Sequence, residues 1–250
     1  MISTNALYTD LSEYYDLMCR DINYLAQSSA VHRLHRMLGN SSYYHLDLAC
    51  GTGSHIRHFL DLGYQCSGLD LNQPMLELAR ARCPQAHFIL QNMCHFTLDK
   101  QVDLITCFLY SVHYSGSINS LQQCIASVFQ ALTAGGLFVF NAVNKNTICN
   151  QSAVRHSTQL DNSHFVFESG WHYSGEGEQQ ALKLSIARTS ADITQVWQDQ
   201  HPMVAVSFAE LQALLCPYFE VHILAHDYDK ITPWDTAAGN ALFACVKRGN

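Results

Sequence analysis

No apolar run in this 250-residue chain reaches the roughly 18 residues that a membrane span requires, and the N-terminus shows no basic-then-apolar signal. A cytoplasmic protein with no membrane partner is expected. Positive charge is scarce: 14 lysines and arginines stand against 21 acidic residues, a formal net charge of −7, with no basic stripe. The electrostatic grip by which nucleic-acid enzymes hold phosphate is therefore missing, so no nucleic-acid partner is expected and a small-molecule substrate is favoured. Cys-x-x-Cys spacing is absent from the ten cysteines, which read as reduced, small apolar residues. His32/His35 and His55/His58 are i,i+3 pairs, but no third ligand stands at a recognisable spacing and no metal is expected. Repeats and low-complexity tracts are also lacking.

What the chain has is apolar mass, 48% of its residues, enough for one large core with an attached insertion, so 1–250 is read as one domain. Apolar positions at helical spacing run from Asp21 to Leu38 and stop at Gly39-Asn40, giving a helical cap over 1–40. Strands and helices then alternate: strand 44–49, helix 53–62, strand 64–69, helix 73–82, strands 86–90 and 102–107, helix 118–132, strand 137–142. That alternation predicts an α/β doubly wound, Rossmann-like sheet. From 160 to 206 the period changes to two, as in Phe165-Val166-Phe167 and Leu182-Lys183-Leu184-Ser185-Ile186, which predicts an antiparallel β insertion placed as a lid. Its exposed edges could pair with a second copy as a homodimer. A helix (207–216) and strands 219–226 and Ala241 to Val246 bring the sheet to seven strands.

The chemistry concentrates at His-Leu-Asp-Leu-Ala-Cys-Gly-Thr-Gly-Ser (45–54), where a buried strand enters a glycine turn that opens a helix. Gly51 and Gly53 let the backbone approach a ligand, and the amides of the next helix face it. A dinucleotide turn places a third glycine where this chain has Ile56. Asp47, inside the strand, suits the ammonium group of a bound amino acid rather than a pyrophosphate, and Asp70, ending the next strand, can accept two ribose hydroxyls. S-adenosylmethionine carries both groups.

The run Asp-Leu-Ala-Cys-Gly-Thr-Gly (47–53) resembles motif I of the class I S-adenosylmethionine-dependent methyltransferases, and Gly-Leu-Asp-Leu-Asn-Gln-Pro-Met (68–75) resembles their acidic second loop. Tyr15-Asp16-Leu17-Met18 with Asp21 and Tyr24 is similar to the N-terminal helix of a bacterial subgroup that includes amino-sugar N,N-dimethyltransferases. The resemblance runs from about residue 11 to 142 and resumes weakly at Leu242-Phe243. It implies a long closing hairpin with an antiparallel last strand, S-adenosyl-L-methionine as cofactor and S-adenosyl-L-homocysteine as product. It further implies that Tyr15, Tyr24 and Arg57 surround the methionine moiety, with Ala49, Cys50, Gly51 and Gly53 in the turn beneath it. Asp70, Leu71 and Met75 would take the ribose and adenine, and Asn92 and Met93 would sit beside the adenine amine. Asn92 replaces the usual aspartate, and Asn240 replaces an arginine of the sugar enzymes that would suit a nucleotide diphosphate.

Methyl transfer is an in-line displacement that needs alignment and exclusion of water more than acid–base machinery. After strand 102–107 the chain reads Cys107-Phe108-Leu109-Tyr110-Ser111-Val112-His113-Tyr114, at the strand end where such sheets bind ligands. His113 is the candidate base, with Tyr114, which holds the position of the sugar enzymes' histidine, as a phenolic replacement. Tyr15 is the candidate aromatic face for a cation. Acidic metal ligands and an Asn/Asp-Pro-Pro-aromatic motif are both absent here, which argues against magnesium-dependent catechol enzymes and base-nitrogen methylases. The expected activity is metal-free methylation of a small-molecule amine. The alternatives are an oxygen acceptor, a tRNA- or protein-modifying enzyme of the same fold, and a non-catalytic cofactor-binding protein.

Overall fold

The computed structural model describes residues 6–8, 12–191 and 193–249. Two helices precede the first strand, α1 (Ser12–Met18) and α2 (Tyr24–Leu38), where the sequence reading had a helical segment from Asp21 to Leu38 and, by resemblance, an N-terminal helix reaching from Tyr15 to Tyr24. Asn23 divides them: its side chain accepts from the Ala26 N–H at 2.9 Å and caps α2. The break frees α1 to lie on a different surface from α2, which packs Val31 and Leu34 under the main sheet.

The main sheet is built from β1 (Tyr44–Leu48), α3 (Ser54–Asp61), β2 (Gln65–Asp70), α4 (Gln73–Arg82), β3 (His87–Leu90), β4 (Val102–Cys107), α5 (Ile118–Ala131) and β5 (Leu132–Val143). The chain then leaves the sheet for β6 (Val154–Leu160), β7 (Ser163–Tyr173), β8 (Gln179–Ser190) and β9 (Ile193–Val204). It returns through α6 (Phe208–Leu215), β10 (Phe219–Ala225) and β11 (Asn240–Lys247). The seven main strands lie in the order β10-β11-β5-β4-β1-β2-β3. All neighbours pair parallel except at β11, which runs antiparallel to both β5 and β10.

Alternation along the central strands sorts side chains between two helical layers. Leu46, Leu48, Ile105 and Cys107 join Leu121, Cys124 and Leu211 on the side of α5 and α6. Leu104 joins Val31 and Phe59 on the opposite side, where the His45 ring lies 4.1 Å from the Phe59 ring. Asp47 and Thr106 belong to this second face, and that decides which groups meet at the glycine turn.

The packing of α3 on β2 explains the missing third glycine of a dinucleotide turn. Ile56 is fully buried, and the room for it comes from Gly68, where an added Cβ would sit 2.6 Å from Ile56 Cδ1 and 2.7 Å from Cys50 Sγ. The glycine sits in the strand instead of in the helix.

The second sheet is an antiparallel meander, β6-β7-β8-β9. It begins at Val154 rather than at 160, because β6 is an edge strand whose exposed residues show no period of two. Its inner face, Phe165, Phe167, Leu184 and Ile186, packs with Leu7, Tyr8 and the α1 side chains Tyr14, Tyr15, Leu17 and Met18. Sheet and N-terminal segment therefore share a small core of their own beside the carboxyl ends of the main strands. Among the described residues no helix is long and apolar enough to cross a membrane.

Candidate functional site

β1 delivers its last residues into a turn where Ala49, Gly51 and Gly53 all adopt left-handed backbone conformations, with φ of 51°, 54° and 79°. For Ala49 this is strain of the kind that accumulates at ligand sites. The turn leaves open space on both sides of Ala49. One side is a cavity of about 380 Å³ lined among others by Gly51, Asp70, Met75, Asn92, Tyr8, Tyr15 and Tyr114. The other is a small recess lined by Asp47, Tyr15, Tyr24, His55 and Ser111. Ala49, Tyr15 and Ser111 border both, so the two form the ends of one elongated site.

Each end holds a buried carboxylate in a different condition. Asp70 Oδ2 accepts from the Gly51 N–H at 2.9 Å, and Oδ1 accepts from the Asn72 backbone and side-chain N–H groups at 2.9 and 3.2 Å. Burial raises its pKa and these bonds oppose the rise. A carboxylate has about four acceptor directions, so Oδ2 keeps capacity for a further donor. Asp47, 2% exposed, receives one bond, from Thr106 Oγ at 2.6 Å, and its carboxyl is pushed up to about 7 by burial. Thr106 spends its proton on Asp47, so the His45 Nε2–H donates to Thr106 Oγ at 2.8 Å. Burial holds both His45 and His55 neutral, His55 pushed down to about 3 with its Nε2–H donating to Gln27 Oε1 at 2.7 Å. Among the described residues Asp47 is thus a buried acid with no cation paired to it, opening on a recess floored by neutral groups.

The aromatic roof comes from the N-terminal segment. Tyr15 lies over the turn, 3.7 Å from where a Cβ on Gly51 would be, and the Tyr24 ring meets His55 edge-on at 4.8 Å. The Cys19 thiol sits beside the Tyr15 and Tyr24 hydroxyls and is pushed up to about 11 by burial. Asp16 fastens this roof: Thr52 Oγ donates to it at 2.7 Å, and Arg82 of α4 pairs with its other oxygen. Arg82 Nη1 also donates to Thr52 O, Thr52 Oγ and Ser54 Oγ at 2.7, 2.6 and 2.8 Å.

Of the residues expected from the sequence, the structure brings Tyr15, Tyr24, Asp47, Ala49, Cys50, Gly51, Asp70, Leu71, Met75, Asn92, Met93 and Tyr114 to the lining of these two spaces. Asn92 Oδ1 already accepts from the Cys94 N–H at 2.9 Å, leaving one lone pair for another donor. Four others lie elsewhere. Arg57 is on the outer face of α3, paired with Asp61 one turn away. Cys107 is fully buried beside Cys124, because the alternation of β4 turns it to the layer opposite Asp47. Gly53 starts α3 and permits its close approach to Ala79 of α4, 3.3 Å from the place of a Cβ.

His113 is the largest correction. It is 0% exposed and lines neither space, and both ring nitrogens are occupied by the backbone. Its Nδ1–H donates to Val204 O at 2.9 Å, and Nε2 accepts from the Val143 N–H at 3.0 Å. Burial pushes it down to about 4. It ties the ends of β5 and β9 to the 3₁₀ turn Ser111–Ser115 and has no free lone pair for a substrate proton.

The sequence reading missed His201 and Asp199 of β9 altogether. Tyr8 Oη lies 2.6 Å from Tyr114 Oη, which lies 2.5 Å from His201 Nδ1, whose Nε2 is 3.0 Å from Asp199 Oδ2. These contacts span up to 106 residues of sequence, and no local spacing announces them.

Residues 46–136 match a protein family described as a methyltransferase domain. The chain is 33% identical over 132 residues to dTDP-3-amino-3,4,6-trideoxy-alpha-D-glucopyranose N,N-dimethyltransferase of Streptomyces venezuelae, 52% of this chain and 56% of that protein. It therefore spans about half the length of the curated relatives it matches. Over the whole fold, the crystal structure of Streptomyces venezuelae DesVI superposes with a TM-score of 0.82 at 24% identity, covering 96% of this chain and 99% of that one. The sugar N-methyltransferase KedS8 of Streptoalloteichus superposes with a TM-score of 0.81 at 20% identity, covering 94% and 93%. The architecture is the class I methyltransferase fold, including its antiparallel last strand.

Proposed function

We propose that this chain is an S-adenosylmethionine-dependent methyltransferase acting on an amine of a small molecule. The observation that carries the reading is Asp47, a buried acid that no cation among the described residues pairs with, at one end of an elongated site, with Asp70 at the other. An amino-acid ammonium group would compensate the first and a ribose diol would donate to the second. Tyr15 and Tyr24 would enclose the methionine portion, and Met75, Asn92 and Met93 the adenine. When bound, the cofactor supplies a sulfonium methyl that passes to a nucleophile, the carbon–sulfur bond breaking with its electron pair left on sulfur.

The chain's own contribution is binding, orientation and exclusion of water. Tyr15 and Tyr24 present aromatic faces, and burial keeps their hydroxyls protonated. A nitrogen acceptor fits this environment better than a hydroxyl: a neutral amine attacks with a lone pair it already has, whereas an alcohol must first meet a strong base. The relatives' printed substrates are dTDP-linked amino sugars. Here the residue that opens the last strand is Asn240, which donates to Tyr110 Oη at 3.1 Å in a neutral group with His226, so a less charged amine is the favoured acceptor. Free thiols throughout, eight of them buried, suit the reducing cytoplasm.

The test is calorimetric titration with S-adenosylmethionine, S-adenosylhomocysteine and NAD, followed by an assay of S-adenosylhomocysteine release. The amines offered are glucosamine and dTDP-3-amino-3,6-dideoxy-D-glucose. Binding of the first two ligands, none of NAD, and amine-dependent release are expected. NAD binding in their place would make the chain an oxidoreductase.

A further inference from the structure

We propose that Asp199, His201, Tyr114 and Tyr8 form a directed proton relay that drains the proton released by the methylated acceptor, an assignment that rests on the methyltransferase reading. The argument begins at Asp199, whose carboxylate accepts from its neighbour. A bare nitrogen facing it at 3.0 Å would set two acceptors against each other, so the His201 proton sits on Nε2 and Nδ1 is left as a lone pair. Burial holds the ring below its ordinary value, which keeps it neutral and able to accept. Tyr114 must then donate to Nδ1, and its oxygen receives the Tyr8 proton. Tyr8 has thereby committed its own hydrogen inward. The cavity end of the chain presents only acceptor lone pairs, at a wall made by Tyr8, Tyr114 and Pro202.

A nitrogen that gains a methyl group becomes cationic and must lose one proton. Its N–H donates to Tyr8, the Tyr8 proton passes to Tyr114, and the Tyr114 proton passes to His201 Nδ1. The net result is a neutral amine, two unchanged phenols and an imidazolium beside the Asp199 carboxylate. No phenolate forms, in keeping with the burial that raises both tyrosine pKa values. Asp199 also lines a separate cleft of about 510 Å³ on the second sheet, with Glu168, Lys183 and Gln200, where the proton can leave to water. His113, the histidine next to Tyr114 in sequence, takes no part. The relay uses a histidine from the second sheet, opposite Leu182 in the β8–β9 register.

Asp199→Asn is the discriminating variant, because it keeps size and hydrogen bonding while its amide can donate to Nε2 and reverse the chain. With S-adenosylhomocysteine bound at pH 7.5, ¹⁵N resonances of His201 should show Nε2 protonated and Nδ1 bare in the parent protein, and the opposite in Asp199→Asn. Methylation of glucosamine or dTDP-3-amino-3,6-dideoxy-D-glucose should lose about 100-fold in kcat in Asp199→Asn and in Tyr114→Phe, with unchanged Tm and S-adenosylhomocysteine affinity. A parent His201 that is cationic or protonated on Nδ1 overturns the relay without reference to any acceptor, as does full kcat in Asp199→Asn. Failure of the parent to bind S-adenosylhomocysteine overturns instead the methyltransferase reading, and the tautomer measurement, repeated on the unliganded protein, still decides the direction of the chain.

Discussion

At the residue scale, the two histidines and the two buried acids show how position decides chemistry. His113 satisfies the backbone groups of Val204 and Val143 in a site with no exposure. Replacing it by alanine leaves those groups buried without partners and opens a hole, a loss of about 3 kcal/mol. A lower Tm in His113→Ala, with kcat of the folded protein kept within about twofold, is the expected outcome. Asp70→Ala should do the reverse: it removes the group that orders Gly51 and faces the cavity, so affinity for S-adenosylhomocysteine in calorimetry should fall at least about 100-fold while the main sheet stays folded. Asp47 gives a signature in pH. Its empty-site pKa lies near 7, and an ammonium partner favours the ionised form and lowers that value. Binding therefore expels a proton below pH 7, and affinity falls toward tenfold per unit as pH drops beneath that value. Calorimetry at pH 6 in buffers of different ionisation enthalpy should detect the released proton, and Asp47→Asn should abolish it. In the empty protein the sign is opposite. The stability that comes from keeping this carboxyl neutral is complete below its unfolded value of 3.8 and is lost as pH rises through about 7.

At the element scale, α1 is a short helix that packs on the second sheet and is clasped to the glycine turn through Asp16. Asp16 joins it to Thr52 in the glycine turn and to Arg82 in α4. The two charged side chains are 41% and 32% exposed, so solvent and salt screen the pair and it contributes about 1 kcal/mol or less. Arg82→Ala or Asp16→Ala should speed S-adenosylhomocysteine dissociation about fivefold in stopped flow, with Tm nearly unchanged. High salt should act on the parent in the same direction. An unaltered rate would mean that α1 does not gate the site. The same elements show what a sequence discloses. The doubly wound core was legible because Asp47 to Gly53 and Gly68 to Met75 carry their meaning in local spacing, and strands and helices differ in period. The separation of α1 from α2 was hidden because the helical pattern of Asp21 to Leu38 runs through the cap at Asn23. β6 was hidden by its exposure, and His201 by its partners, since Tyr114 stands 87 residues away.

At the scale of the whole molecule, the N-terminal segment and the second sheet act as one body set against the seven-stranded sheet. Their shared core is Phe165, Phe167, Leu184 and Ile186 with Leu7, and α1 packs Tyr14, Tyr15, Leu17 and Met18 on it. Tyr8 and Tyr15 reach from this core to the cavity, while Asp16 reaches to the glycine turn. Order in the second sheet is thus transmitted to the roof of the site without any change in the strands that carry Asp47 and Asp70. Phe165, 1% exposed, lies at the centre of the arrangement, and truncating such a ring costs about 3–5 kcal/mol of local stability. In Phe165→Ala, amide exchange should quicken together in residues 12–24 and 163–188 while β1, β2 and β4 keep their protection. Affinity for S-adenosylhomocysteine should drop at least about tenfold, because ligand binding must then order the roof as well as fill the site. In the parent protein, saturating S-adenosylhomocysteine should slow exchange in both segments at once. Faster exchange confined to 163–188, with α1 still protected, would show that the clasp to Arg82 holds α1 alone and that the two pieces are separate bodies.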